Sequence, residues 1–183
     1  MKVKAIIFIL LITLVSILAI NIKPIGRYIF KIKYVNYIDS NSAANNIDPL
    51  LVAAVIKVES NFKPYAESGK NAHGLMQITD STAKWAAGEM KVEYLGHENL
   101  YDAEYNIKMG CWYLKELNTE FNSNTILVLA AYNGGRGNVQ KWLKDSNNSS
   151  DGITLKYIPF KETDKYVKKV RTYYNIYKFL YSK

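Results

Sequence analysis

Glu59 is set apart from the other acidic residues of this chain by what precedes it. Val55 and Ile56 lie four and three residues before it, and Val52 lies seven before. On an α-helix these positions share one face. The spacing therefore puts a carboxyl group at the end of an apolar stripe. Loss of solvation there favours the protonated form and raises the pKa. A carboxyl group that gives and retakes a proton near neutral pH is what general acid–base chemistry requires. Taken alone, the helix is also compatible with a helix-end glutamate that reaches water, so the choice falls to the other segments.

The element that must carry Glu59 is well specified. Asp48 precedes Pro49; aspartate accepts hydrogen bonds from the first free N–H groups of a helix, and proline suits its first position. Ile47 and Val52 have the spacing of a hydrophobic staple. The run LLVAAVIKVES continues the helix, and Pro64 bars it from passing Phe62. In YDAEYNIKMGCWYL at 101–114, Ile107, Gly110, Cys111, Leu114 and Leu117 give a core-facing period, with Gly110 letting two helices approach. Thr125 to Tyr132 predicts a short, very apolar helix ending at Asn133-Gly134-Gly135, where glycine permits a left-handed cap. Asp145 to Gly152 predicts a polar loop without core-forming residues. The remainder predicts helices joined by short loops and no run of alternating strands, so the fold class is mainly α.

Other reactive groups are few. Asp48, Asp80 and Asp102 read as helix-start residues, which leaves Glu59 without an evident carboxylate partner. His73 and His97 are the only histidines and lack paired ligand spacing, so neither a metal site nor a cofactor is expected. Cys111 is the single cysteine, which excludes an intrachain disulfide; its apolar helical surroundings predict a buried, inert thiol. A net charge of +8 suits an anionic partner: nucleic acid, anionic lipid or an anionic cell wall. Scattered lysines, with neither a helix-turn-helix pattern nor a Gly-rich phosphate loop, argue against nucleic acid. The 15 tyrosines suit either helix packing or a sugar-binding groove.

Read together, AVIKVESNF at 54–62, GLMQI at 74–78, AYNGG at 131–135 and IPFKETDKYVKKV at 158–170 form an ordered set. This set resembles the catalytic domain of the soluble lytic transglycosylases, over roughly Ile38 to Leu180. The segment at 101–114 shares the likeness. The resemblance implies a lysozyme-like single helical domain with a glycan groove. It implies one catalytic glutamate, Glu59, followed by Ser60. It also implies that Met76 and Gln77 line the groove, that Tyr132 and Asn133 face it from a helix end, and that Tyr166 points at Glu59. Glutamine donates and accepts hydrogen bonds, as sugar hydroxyls and acetamido groups require; Leu75 and Ile78 are expected in the core. Gly74 gives the backbone room to turn or to approach a sugar. Glu162, four residues before Tyr166, either orients neighbouring groups or is a solvated helix-start residue. One departure is Thr79-Asp80-Ser81, where the family often has proline; these residues cap a helix equally well.

Most glycosidases place two carboxylates about the scissile bond, and substrate-assisted enzymes are the exception. The resemblance implies the exception, acting on peptidoglycan. Glu59 protonates the leaving oxygen of a MurNAc–GlcNAc β-1,4 bond, the 2-acetamido oxygen stabilises the developing charge, and the sugar's own 6-hydroxyl closes a 1,6-anhydro ring. Two alternatives stay open: a hydrolytic, goose-type-like lysozyme and a non-catalytic glycan-binding or envelope-assembly protein.

The first residues bear on location. Lys2 and Lys4 precede an apolar run from Ala5 to Ile22, interrupted by Thr13, Ser16 and Asn21 and followed by Lys23 and Pro24. The run suits a membrane-crossing helix or the apolar part of a secretory signal. Cleavage needs two small residues near one another; Ala19 offers one, but Ile17 occupies the other place, which favours an uncleaved transmembrane helix. Lys23, Arg27, Lys31 and Lys33 follow the run and by the positive-inside rule would hold the domain in the cytoplasm, whereas its glycan substrate lies outside. The expected organisation is an anchor or signal over 1–23, a juxtamembrane segment over 24–40 and the lysozyme-like domain over 41–183, at the outer face of the cytoplasmic membrane.

Overall fold

The structure, a computed structural model, describes residues 2–182. Its axis is α3 (Pro49–Glu59). The Asp48 carboxylate caps α3 by accepting from Leu50 N at 2.8 Å, and its second oxygen accepts from the Tyr174 hydroxyl at 2.6 Å. One side chain thus starts α3 and ties it to α8 (Lys161–Tyr181). Ile47 and Val52 are both buried, as a staple requires. Leu51 through Ile56 are also all buried, so α3 is enclosed on every side rather than along one stripe. It packs against α8 and α2 (Val35–Asn45).

α3 ends at Glu59, short of Phe62. Ser60 leaves helical geometry, and Asn61 and Phe62 take φ of 53° and 60°. Left-handed backbone is unfavourable for a bulky residue such as Phe62; its burial in the core offsets the cost. This sharp exit leaves the Glu59 side chain at a helix end, facing the segment that returns across it.

That segment holds a hairpin that the sequence did not foretell. β1 (Ala72–His73) pairs antiparallel with β2 (Ile78–Thr79), Ala72 opposite Thr79 and His73 opposite Ile78. α4 (Asp80–Glu89), a 3-10 turn (His97–Tyr101), α5 (Ala103–Glu120), α6 (Thr125–Gly134) and α7 (Arg136–Lys144) follow. α4 is capped by Thr79, not Asp80: Thr79 Oγ1 accepts from Thr82 N, while Asp80 begins the helix, pairs with Lys84 at 2.9 Å and accepts from the Tyr94 hydroxyl. Asp102 caps α5 as expected, accepting from Tyr105 N at 2.8 Å. Asp145 to Gly152 is less exposed than its composition suggests, because Asn148 and Ser149 are buried. Asp145 and Asp151 take up neighbouring backbone N–H groups there, at 2.7–2.9 Å. Burial pushes the Cys111 thiol up to about 12, in keeping with an inert side chain.

α1 (Lys2–Ile29) contains Pro24. Among the described residues no single helix is long and apolar enough to cross a membrane; Ile6–Ile17 and Ile20–Ile29 qualify together, bent by 48°. α2 spans the expected boundary at 40/41 and contributes Ile38 and Ser42 to the interior. The segment 24–40 is therefore the end of α1, a short connection and the start of α2.

Candidate active site

The hairpin loop is held from behind by Asn106, which is wholly buried on α5. Its amide nitrogen donates to the carbonyls of His73 and Leu100, each at 2.8 Å, and its oxygen accepts from Met76 N at 2.7 Å. Gly74, with φ of 77°, lies so close that an added Cβ would stand 2.1 Å from the Leu100 oxygen and 2.3 Å from the Asn106 amide. The close approach that requires glycine is thus to the protein's own α5 side. Met76 fills the space above Gly110, where a Cβ would come within 2.3 Å of its sulfur. Gly110 accordingly makes room for a side chain, not for a second helix. This fastening fixes the backbone of Gly74 to Gln77 beneath the groove.

Glu59 lies half-buried at the foot of that groove. Burial raises its pKa from 4.5 to about 7, with the Tyr166 hydroxyl pulling the other way. Tyr166 comes from α8 and is buried; its hydroxyl is near the carboxyl group but has no aligned hydrogen-bond partner. Tyr132, from α6, donates its hydroxyl to the Met76 carbonyl at 2.8 Å. Burial, and then the Glu59 charge, hold both phenols well above their usual range. Glu59 is thereby flanked by two neutral tyrosines, one committed to the hairpin loop and one uncommitted.

The groove has two adjoining compartments, of about 730 and 440 Å³, which share Lys70, Gln77, Thr79, Tyr132, Asn133 and Glu162. Glu59 opens into the smaller one. Gln77 uses its amide nitrogen on the Ala66 and Gly74 carbonyls, each at 3.0 Å, which leaves its side-chain oxygen to accept. Asn133 accepts from the Thr163 hydroxyl at 2.9 Å, which leaves its amide nitrogen to donate. A Cβ at Gly134 would lie 2.9 Å from that hydroxyl, so glycine there lets α6 meet α8. Glu162 is exposed on the rim, 3.6 Å from Lys70 on the opposite lip.

Glu59, Gln77, Tyr132, Asn133 and Tyr166 therefore converge on one place, with Glu162 at the rim. Two residues do not. Met76 is fully buried, and only its carbonyl serves the site. Ser60 is buried with its hydroxyl donating back to the Ile56 carbonyl at 3.2 Å, which closes α3 and turns the side chain away from the groove. Leu75 and Ile78 are in the core as expected. Sequence reasoning missed Asn106 and Thr163; a polar residue within an apolar helical period was the available signal for the first.

Helices wrapped around one half-buried acid, with an open groove crossing it, define a lysozyme-like class of fold. The chain belongs to the Transglycosylase SLT domain family, whose profile matches residues 36–154. The match ends before Glu162 and Tyr166. It is 34% identical over 146 residues to the soluble lytic murein transglycosylase of Salmonella typhimurium, covering 79% of this chain and 23% of that protein. To the membrane-bound lytic murein transglycosylase C of Photorhabdus laumondii it is 33% identical over 136 residues, covering 69% and 38%. The 70 kDa soluble lytic transglycosylase of Escherichia coli superposes with a TM-score of 0.76 at 30% identity, over 86% of this chain and 26% of that one. The chain thus spans well under half the length of each of these relatives.

Proposed function

We propose that this chain is a peptidoglycan lytic transglycosylase that breaks the MurNAc–GlcNAc β-1,4 bond without water. The observation that carries the reading is a half-buried Glu59, poised near neutrality, in a groove whose other carboxylate, Glu162, stands exposed on the rim beside Lys70. Protonated Glu59 gives its proton to the glycosidic oxygen as the bond from C1 breaks. The substrate's 2-acetamido oxygen bonds to C1 and carries the charge as an oxazolinium. Glu59, now a carboxylate, takes the proton of the 6-hydroxyl; O6 bonds to C1 and the oxazolinium opens. The products are a free GlcNAc end and a 1,6-anhydro-MurNAc end, and Glu59 is again protonated. Tyr166, with an uncommitted hydroxyl, supports the acetamido group or the carboxylate; the Gln77 oxygen and Asn133 amide meet sugar polar groups.

A hydrolytic reading rests on Glu162, which lines the same compartment and would have to hold a water. Its exposure and its contact with Lys70 favour the first reading. Digestion of purified peptidoglycan in heavy-oxygen water, followed by mass spectrometry, separates the two. Anhydro ends without label are the expected result; labelled reducing ends would make the chain a lysozyme.

The same reading places the enzyme in the cell envelope, on the outer face of the cytoplasmic membrane, with α1 as an uncleaved anchor. The exposed apolar side chains of α1 support this, among them Phe8, Leu10 and Ile17. Intact-mass measurement of protein from its own cells tests it: a retained N-terminus is expected, and a mature chain starting near Ile20 would mean a released enzyme.

A further inference from the structure

The end of α1 does not hang from the domain as a tether. Arg27 Nε donates to the Leu180 carbonyl at 2.7 Å, at the C-terminus of α8, where helix carbonyls lack partners and the dipole is negative. Tyr181 donates its hydroxyl to the Phe30 carbonyl at 3.1 Å. Gly26 admits the Leu180 side chain, which a Cβ would meet at 2.4 Å. These contacts join the two helix ends around an apolar hollow of about 430 Å³, walled by Ile22, Phe30, Ile176 and Phe179. Beside it Tyr28 and Phe179 are 86% and 54% exposed, and Lys23, Lys31 and Lys33 are exposed as well.

An apolar helix that ends in exposed aromatics and lysines has the composition of a bilayer interface, and clustered lysines add affinity for anionic headgroups. We propose that the α1–α8 junction is a membrane-interface surface that seats the domain directly on an anionic phospholipid bilayer. Lys23, Lys31 and Lys33 meet the headgroup phosphates, and Phe179 and Ile176 enter the acyl boundary. The groove is then held at a fixed height above the membrane. This rests on α1 being membrane-inserted. It also gives the basic residues after the apolar run a use on the outer face: Arg27 is engaged by α8, and the lysines by lipid.

The full chain carrying Phe179→Trp tests this in phosphatidylcholine vesicles with brominated acyl chains, with and without phosphatidylglycerol. Alkali-resistant sedimentation reports insertion of α1 independently, and the unsubstituted chain gives the background from Trp85, Trp112 and Trp142. Added quenching is expected at position 179 with phosphatidylglycerol present. A loss of about twofold is expected without that lipid, or when Lys23, Lys31 and Lys33 are all changed to Gln. An inserted α1 without added quenching would mean that the domain stands off the bilayer and would overturn the proposal. Equal quenching in both lipids would overturn its anionic part. Failure of α1 to insert would overturn the anchor reading along with it.

Discussion

Asn106 and Tyr166 are both buried polar side chains within one small domain, and they are treated in opposite ways. Asn106 has three hydrogen bonds, all to backbone, with both amide hydrogens and its oxygen engaged. Tyr166 has a buried hydroxyl with no aligned partner, next to a carboxyl group whose pKa burial has lifted to about 7. A buried polar group without a partner is costly. The fold avoids that cost where it needs rigidity and accepts it beside Glu59, where under the proposed function a substrate's own groups would complete the bonding. The first region fixes the hairpin loop; the second leaves a hydroxyl free beside the candidate acid.

The contrast breaks most sharply at Glu59. Glu59→Gln keeps the shape and removes the exchangeable proton, so glycan cleavage is expected to fall by about 10³-fold or more while the fold persists. Product release from purified peptidoglycan measures this, and turnover within a few-fold of the parent would remove Glu59 from its role. Asn106→Ala attacks the satisfied region instead. It strands three buried backbone groups at roughly 1–3 kcal/mol each, for an expected total of about 3–9 kcal/mol in denaturant unfolding. A loss under about 1 kcal/mol would show the clamp to be dispensable.

Glu59 should also destabilise the fold that carries it, in a pH-dependent way. Its folded pKa of about 7 lies above the ordinary 4.5. The protonated form is therefore favoured by folding: the native contribution is intact below pH 4.5 and is lost as pH rises through 7. Glu59→Gln is expected to match the parent near pH 4 and to exceed its stability by up to about 3 kcal/mol near pH 9. Equal unfolding curves at the higher pH would contradict the burial argument. Cleavage by the parent should decline on the alkaline side as the acid is lost. The smallest effect is expected of Tyr166→Phe: about tenfold less turnover, with stability unchanged or higher by about 1 kcal/mol because an unpaired hydroxyl is gone. A large stability loss would mean that the hydroxyl is structural.

Much of this site was legible in the sequence. Asp48-Pro49 announced the start of α3, and the residues before Glu59 announced burial of its carboxyl group. Family motifs added Gln77, Tyr132, Asn133 and Tyr166, and the structure gathers these around one groove. What stayed hidden has physical causes. Strands of two residues each are too short to alternate visibly. The Asn106 clamp joins residues 33 and 30 apart in sequence, which local periodicity cannot register. A motif shared with a family does not tell which way each side chain turns; hence Ser60 and Met76 were expected at the groove though both are turned inward. The enclosure of α3 on all sides follows from its having neighbours on more than one face, which no single helix reveals.

The proton cycle proposed for Glu59 requires it to be half protonated near neutrality in the folded chain. Carbon-13 labelling of the glutamate side-chain carboxyls, with Glu59→Gln to assign the resonance, permits a direct titration by nuclear magnetic resonance. A midpoint near 7 is expected for Glu59. A Glu59 midpoint near 4.5 would mean a solvated carboxylate, and the proton cycle proposed for this groove would have no acid to begin it.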